Sequence, residues 1–215
     1  MSPKSILKMP FTELIKPLLV QSDEARDAFS NIIVPSLRTI ITSAPGFVLG
    51  AAGHKLIENN VAVAEPSFNP ILGIEWEDSK YFHDFVKSEQ FPTLIAQLKP
   101  HTTAPAWPEV YETDVSPKDI FASPVIEVFR ININEDSEKE NAAKTAWEAF
   151  AKALKGTHIL SGVSVNLPER FFLGLIGWSG IEQRKMAMDN VEHLKQAVDS
   201  LKDSQSFVAE LNTVV

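Results

Sequence analysis

The stretch RFFLGLIGW, residues 170–178, is apolar on both of its alternating sets: Phe172, Gly174, Ile176 and Trp178 on one, Phe171, Leu173, Leu175 and Gly177 on the other. A strand with helices on one face and water on the other alternates apolar with polar residues. Both faces of this strand are therefore expected to be covered. The strand ends in Trp178, a polar pair follows, and then the helical run IEQRKMAMDNVEHL. About a hundred residues earlier GIEWED, residues 73–78, does the same: an apolar strand ending in Trp76, a polar pair, and the helical run SKYFHDFVKSEQF.

Working outward, both halves read strand, helix, strand, strand, helix, strand. In the first half the strands are FTELIK, GFVLGAAGHKL, NPILGIEW and EVYETDV. The first helix opens on Ser22 as N-cap and runs through Ala25, Phe29, Ile32, Ile33, Ile40 and Ile41, with a bend or interruption at Pro35. The second begins at Ser79 and breaks at Pro92. In the second half the strands are PVIEVFRININ, THILSGVSVNL, RFFLGLIGW and SFVAELNTVV, with a helix over 136–155 stopped by Gly156 and another from Ile181. Glu13 matches Glu127, Lys16 matches Arg130, Gly46 matches Gly156 and Trp76 matches Trp178. The order is the split βαβ, or ferredoxin-like, arrangement. The expected fold is thus α+β, with tandem ferredoxin-like (βαββαβ) repeats over residues 1–118 and 122–215. Their sheets face one another and the four helices lie outside, which covers both faces of Phe171–Trp178. A monomer is then a complete fold.

The chain has 215 residues, 44% of them hydrophobic, and a formal net charge of −8 from 28 acidic and 20 basic residues. No cluster of Lys or Arg is present to track a phosphate backbone, so nucleic acid is not an expected partner. The absence of cysteine excludes disulfides, thiolate nucleophiles and cysteine-bound metals. The N-terminal MSPKSILKMPFTELIKPLL interrupts its apolar part with Pro, Lys and Glu. It matches neither a signal-peptide core nor a membrane span, and the expectation is a cytoplasmic protein with no membrane partner. No glycine-rich phosphate loop occurs.

The segments SAPGFVLGAAG (43–53), ILGIEWEDSKYFHDF (71–85) and LIGWSGIEQRKMAM (175–188) resemble the dimeric α+β barrel proteins, which include the antibiotic-biosynthesis monooxygenase type and small polyketide cyclases. The resemblance covers nearly the whole chain as two fused copies. It implies a small-molecule cavity within each unit, between sheet and helices, and in cofactor-free members a few polar groups in it, often a His. It specifies fold better than reaction, since the superfamily hosts many chemistries. Plant cyclases that resemble each repeat carry a catalytic His in an H-P-x-H segment, fifteen residues beyond the strand-ending aromatic. From Trp178 that count reaches His193, and from Trp76 it reaches Phe91. The residues before His193 are Asn190, Val191 and Glu192, so the rest of the motif is missing.

The other histidines differ in position. His54 follows the small-residue run GAAG, where a ligand can approach the backbone, or else is a surface strand-end residue; His158 opens the equivalent strand of the second copy and is a candidate on the same ground. His83 reads as a solvated helix residue and His101 as a loop residue. Glu127 and Glu13 lie mid-strand on the face opposite Arg130 and Lys16; each is either a cavity-facing acid or base or a carboxylate paired at the rim. Trp76 and Trp178 anchor strand to helix or contact substrate, Phe91 fills the place of a base, and Tyr81 offers a phenol. Haem, held through a single His in some relatives, has no signature here: there is no His-rich patch and no pair of carboxylates at ligand spacing. The expected cofactor and metal are none.

Two functions fit. The first is a cofactor-independent enzyme acting by proton transfer on a small hydrophobic oxygenated molecule of aromatic polyketide type, as cyclase, isomerase or monooxygenase, with His193, His158, His54 or Glu127 as acid or base. The second is a non-catalytic small-molecule-binding or stress-response barrel. An open apolar pocket with a convergent His favours the first, and spaces filled by side chains favour the second. The partners expected are the small hydrophobic molecule and, beyond the intrachain barrel, a second copy as a homodimer.

Overall fold

A computed structural model describes residues 9–64, 67–134, 136–154, 157–190 and 204–214. Eight strands make the body: β1 (Phe11–Ile15), β2 (Phe47–Glu58), β3 (Pro70–Trp76), β4 (Glu109–Thr113), β5 (Val125–Asn132), β6 (His158–Ser164), β7 (Phe171–Trp178) and β8 (Ser204–Thr213). All pairings are antiparallel, in the order β8-β5-β7-β6-β4-β1-β3-β2, and β2 pairs back with β8. The sheets of the two halves do not merely stack. They join edge to edge at two seams, β2–β8 and β4–β6, and close an eight-stranded barrel, which removes the open edges that four-stranded sheets would expose.

Every residue of β3 and of β7 is buried, as the double apolar pattern of residues 170–178 requires. Phe171, Leu173 and Leu175 pack in the barrel interior with Leu14, Ile71, Tyr111, Ile126, Val128 and Phe207. Phe172, Ile176 and Trp178 face outward against α6 (Ser137–Ala153) through Trp147 and Phe150. In the first half the outward set of Leu72, Ile74 and Trp76 packs beneath four helices: α1 (Asp23–Ala28), α2 (Val34–Ile41), α3 (Ser79–Val86) and α4 (Gln90–Leu98). The helix α7 (Ile181–Asn190) follows β7.

Three local expectations are corrected. Pro35 does not interrupt the first helix: Phe29–Ile33 forms a π-turn in which the Val34 N–H reaches the Phe29 carbonyl, and this widened turn accommodates Pro35, which has no N–H to give, as the chain continues into α2. Buried Ala25, Phe29, Ile33, Leu37 and Ile41 form one stripe, and Ile32 is exposed. The second helix breaks at 87–89, ahead of Pro92, which lies in the first turn of α4. A one-turn helix, α5 (Lys118–Phe121), joins the halves, and its Ile120 and Phe121 enter the barrel interior. Phe121 occupies the space a Cβ on Gly73 would take, so that position requires glycine. α5 therefore stops one end of the barrel, while the other end opens at Lys16, Glu109 and Arg130. Gly46 turns the chain from α2 into β2 at φ +72°, with the Tyr81 ring on its Cβ side. The match to Gly156 lies outside the described residues.

Candidate functional site

The register places Trp76 opposite Phe11 and Trp178 opposite Val125. Glu13 and Glu127, each two residues further along, share the outward face of the sheet with these indoles. Trp76 Nε1 donates to Glu13 Oε2 at 2.6 Å, and Trp178 Nε1 donates to Glu127 Oε2 at 3.1 Å. The four residues matched in sequence are thus two copies of one hydrogen-bonded pair. Neither carboxylate is at a rim, and neither faces a described cavity. Glu13 is fully buried, and burial pushes its carboxyl up to about 7 against the opposing pull of the Trp76 hydrogen bond. Glu127 is also raised by burial, but Arg184 Nη2 at 2.6 Å and Trp178 restrain it. The pairs clamp strand to strand under the helices.

In the first half the space between the sheet and α2 is filled by side chains. Beneath α2 only about 10 Å³ remains, between Val34, Leu37 and Ile41 and the strand residues Gly50, Ala51, Leu72 and Gly73. The open apolar cavity lies elsewhere, beside the β4–β6 seam. It has a volume of about 760 Å³ and is walled by Phe82, Val86, Phe91 and Ile95 of α3 and α4, by Pro105–Pro108, and by Asn166, Leu167 and Pro168. That size suits a drug-sized ligand. Trp107 is 78% exposed between two prolines, an arrangement that holds a large apolar ring on a stiff loop. Asn166 fixes this loop: its Oδ1 accepts the Val110 N–H at 2.8 Å and its Nδ2 donates to the Pro108 carbonyl at 2.9 Å. Both amide groups of Asn166 are thereby engaged, and His83 is the one titratable side chain on the cavity wall among the described residues.

The residues singled out from sequence distribute as follows. His193 lies outside the described residues. His158 is exposed at the start of β6, with Nδ1 3.9 Å from Asp119 Oδ2 at the stoppered end of the barrel, and is not on the cavity wall. His54 stacks on Phe68, ring centroids 5.6 Å apart, also away from that cavity. Phe91 is on the wall and packs edge-on against Phe85 at 5.8 Å. Trp76 stands behind it, in contact with Phe82 and Phe85. Tyr81 is half-buried over Gly46. His83, read from sequence as merely solvated, is exposed but borders the cavity, because α3 ends beside the Pro-rich loop. Trp107 was missed, although a Trp flanked by prolines in TTAPAWPEV was the available signal. No group of three His, Asp or Glu able to hold a metal occurs among the described residues. The cavity wall offers His83 but no Lys or Arg to pair with haem carboxylates, so it does not fit a haem.

At the open barrel mouth a second polar cluster forms. Glu109 Oε1 accepts from Lys16 Nζ at 2.8 Å, and its Oε2 accepts from Tyr111 Oη and from Arg130 Nε at 2.9 Å. Burial alone would raise the Glu109 carboxyl, but Lys16, Tyr111 and Arg130 together hold it below the usual carboxylate range. Burial lowers Lys16, Glu109 works against that, and the neighbouring Arg130 and Lys55 lower it further.

No protein-family model matches the chain, and no curated protein matches it in sequence. Solved structures do match in fold. An anthrone oxidase-like protein superposes with a TM-score of 0.61 at 14% identity, over 96% of this chain and 94% of its own. A candidate monooxygenase from Fusobacterium nucleatum subsp. nucleatum ATCC 25586 gives 0.57 at 12% identity, over 98% and 94%. Another from Lactobacillus acidophilus NCFM gives 0.55 at 10% identity, over 96% and 95%. At these identities the likeness is one of fold, and the chain shares the α+β barrel with all three.

Proposed function

We propose that the protein is a cofactor-independent enzyme that binds a small hydrophobic oxygenated molecule in the cavity beside the β4–β6 seam and acts on it by proton transfer. The observation that carries this reading is the apolar cavity of about 760 Å³ with a single titratable side chain among the described residues, His83, on its wall. Imidazole is the side chain whose ordinary titration falls near neutral pH. The aromatic wall binds a flat apolar body, whose own bulk displaces water from the wall, and His83 removes a proton from an acidic carbon that the substrate's own carbonyl stabilises. Return of that proton to another carbon of the same molecule completes an isomerisation; attack of the carbanion on a second carbonyl of the substrate, with the proton passed to the resulting alkoxide, completes a cyclisation. With oxygen as co-reactant, an anthrone-type carbanion gives electrons to O₂, forms a hydroperoxide at that carbon, and loses water to leave the quinone; each anthrone and O₂ yield one quinone and one water. The anthrone oxidase-like and monooxygenase descriptions of proteins with this fold agree with that chemistry.

The two halves, residues 1–118 and 122–215, are read as fused copies of one unit, and a cytoplasmic location and homodimeric association belong to the same proposal. No described helix is long and apolar enough to cross a membrane. One observation favours a second reading, a non-catalytic carrier: both Glu–Trp pairs are sealed from the cavity, which leaves one acid–base group rather than a convergent set.

An anthrone offered under air, with quinone formation followed by absorbance and deuterium entry at the acidic carbon by NMR, separates these readings. His83→Ala is expected to slow both signals by about 10²- to 10⁴-fold, while Trp107→Ala weakens binding. Parent-rate turnover by His83→Ala removes His83 from the mechanism. Saturable binding with no exchange above the buffer rate establishes the carrier.

A further inference from the structure

The open mouth of the barrel is chemically unlike the cavity beside the seam. A hollow of about 130 Å³ lies there, walled by Lys16, Lys55, Glu58, Arg130, Gln205 and Phe207. Three cations meet at it. Glu109 and Glu58 supply two carboxylates, so one positive charge is left over. The carboxylates do not exhaust the donors. A guanidinium has five N–H groups and an ammonium three; Glu109 takes only Nε of Arg130 and one Nζ contact of Lys16, and Glu58 takes one from Lys55. The cations are also held in place. The Arg130 guanidinium lies 3.3 Å from the centre of the Phe171 ring, and Lys55 Nζ lies 4.9 Å from that of Phe207. Side-chain exposures of 24% for Lys16, 17% for Arg130 and 11% for Lys55 leave them reachable from the hollow but poorly hydrated, a setting in which charge-assisted hydrogen bonds are strong. The apolar barrel interior seals the floor.

We propose that this mouth is an anion-binding site for a compact oxyanion of the phosphate type, held between Arg130, Lys55 and Lys16. The volume equals that of about four waters, enough for a tetrahedral ion and too small for an organic body. An anion here neutralises the surplus charge and relieves the mutual repulsion of three cations gathered on β2, on β5 and just beyond the end of β1, so its binding also tightens the barrel end opposite α5. The site is independent of the cavity and of any reaction there.

Calorimetric titration with inorganic phosphate at fixed ionic strength, paired with thermal unfolding, tests it, with sodium chloride of equal ionic strength as the control. The parent protein is expected to bind one phosphate saturably and to gain unfolding temperature beyond the chloride control. Lys55→Gln removes one cation while leaving the Glu109 cluster intact, and is expected to weaken binding about tenfold or more, the scale of one hydrogen bond to a charged group. Gln205→Glu, a near-isosteric change at an exposed position, places a carboxylate in the hollow and is expected to weaken it at least as much. Heat and stabilisation no greater than in chloride, or parent affinity in both variants, overturns the site.

Discussion

Glu109→Gln is expected to destabilise the protein by about 3–5 kcal/mol at neutral pH, because removing one partner of a buried ion pair leaves the others uncompensated. Here two cations are abandoned at once: Lys16 at 2.8 Å and Arg130 at 2.9 Å both point at this carboxylate, which is 10% exposed. The Tyr111 hydroxyl retains an acceptor in the amide, so the loss isolates charge from hydrogen-bonding capacity. The folded carboxyl titrates below its ordinary range, and its stabilising contribution is therefore present above the unfolded value and lost as pH falls through the folded one. The gap between parent and variant in urea unfolding should be wide at pH 7 and should close in acid. A difference below about 1 kcal/mol at pH 7, the scale of an exposed ion pair, or a gap unchanged down to pH 3, refutes the cluster as a source of stability.

How much of this was legible depended on whether a pattern repeats along the chain or arises only when segments meet. The double apolar set of residues 170–178 dictated two covered faces, and the barrel supplies both. The match of Glu13 with Glu127 and of Trp76 with Trp178 was visible, but their hydrogen bonds were not: the two-residue offset depends on strand register, which no single strand carries. α5 was illegible because four residues, KDIF, are too few to show a period, although two of them stop the barrel. The cavity was illegible for a different reason. Its walls come from residues 82–95, 105–108 and 166–168, and the last two groups come together through the β4–β6 seam. Counting from a strand-ending Trp led to His193 and Phe91. Phe91 does line the cavity, but the histidine found beside it is His83, one turn before the end of α3, which a count along one helix did not single out.

The difference between the two Glu–Trp pairs leads to the second large effect. Glu127 has Arg184 as a counter-charge, whereas Glu13 has the Trp76 N–H and, among the described residues, no cation, and is fully buried. Its folded carboxyl is raised to about 7 from an ordinary 4.5. A carboxyl raised on folding holds its proton better in the native state, so its favourable contribution is full below about 4.5 and is lost as pH climbs to about 7. A displacement of that size corresponds to a swing on the order of 3 kcal/mol. In Glu13→Gln the amide oxygen still accepts from Trp76 and nothing titrates. The buried amide donors carry a cost of about 1–3 kcal/mol, but that cost is the same at every pH. The stability of Glu13→Gln relative to the parent is therefore expected to improve by roughly 3 kcal/mol between pH 4 and pH 8, whatever its absolute value, a relative gain of several degrees in Tm for a chain of this size. Glu109 acts in the opposite sense at the acid end, so the parent should be most stable in mildly acidic solution, near the point where Glu109 is ionised and Glu13 is still protonated. Unfolding curves for parent and Glu13→Gln that run parallel from pH 4 to pH 8 would show that Glu13 titrates in the native state where it does in the unfolded chain, and would remove the difference between the two halves on which this expectation stands.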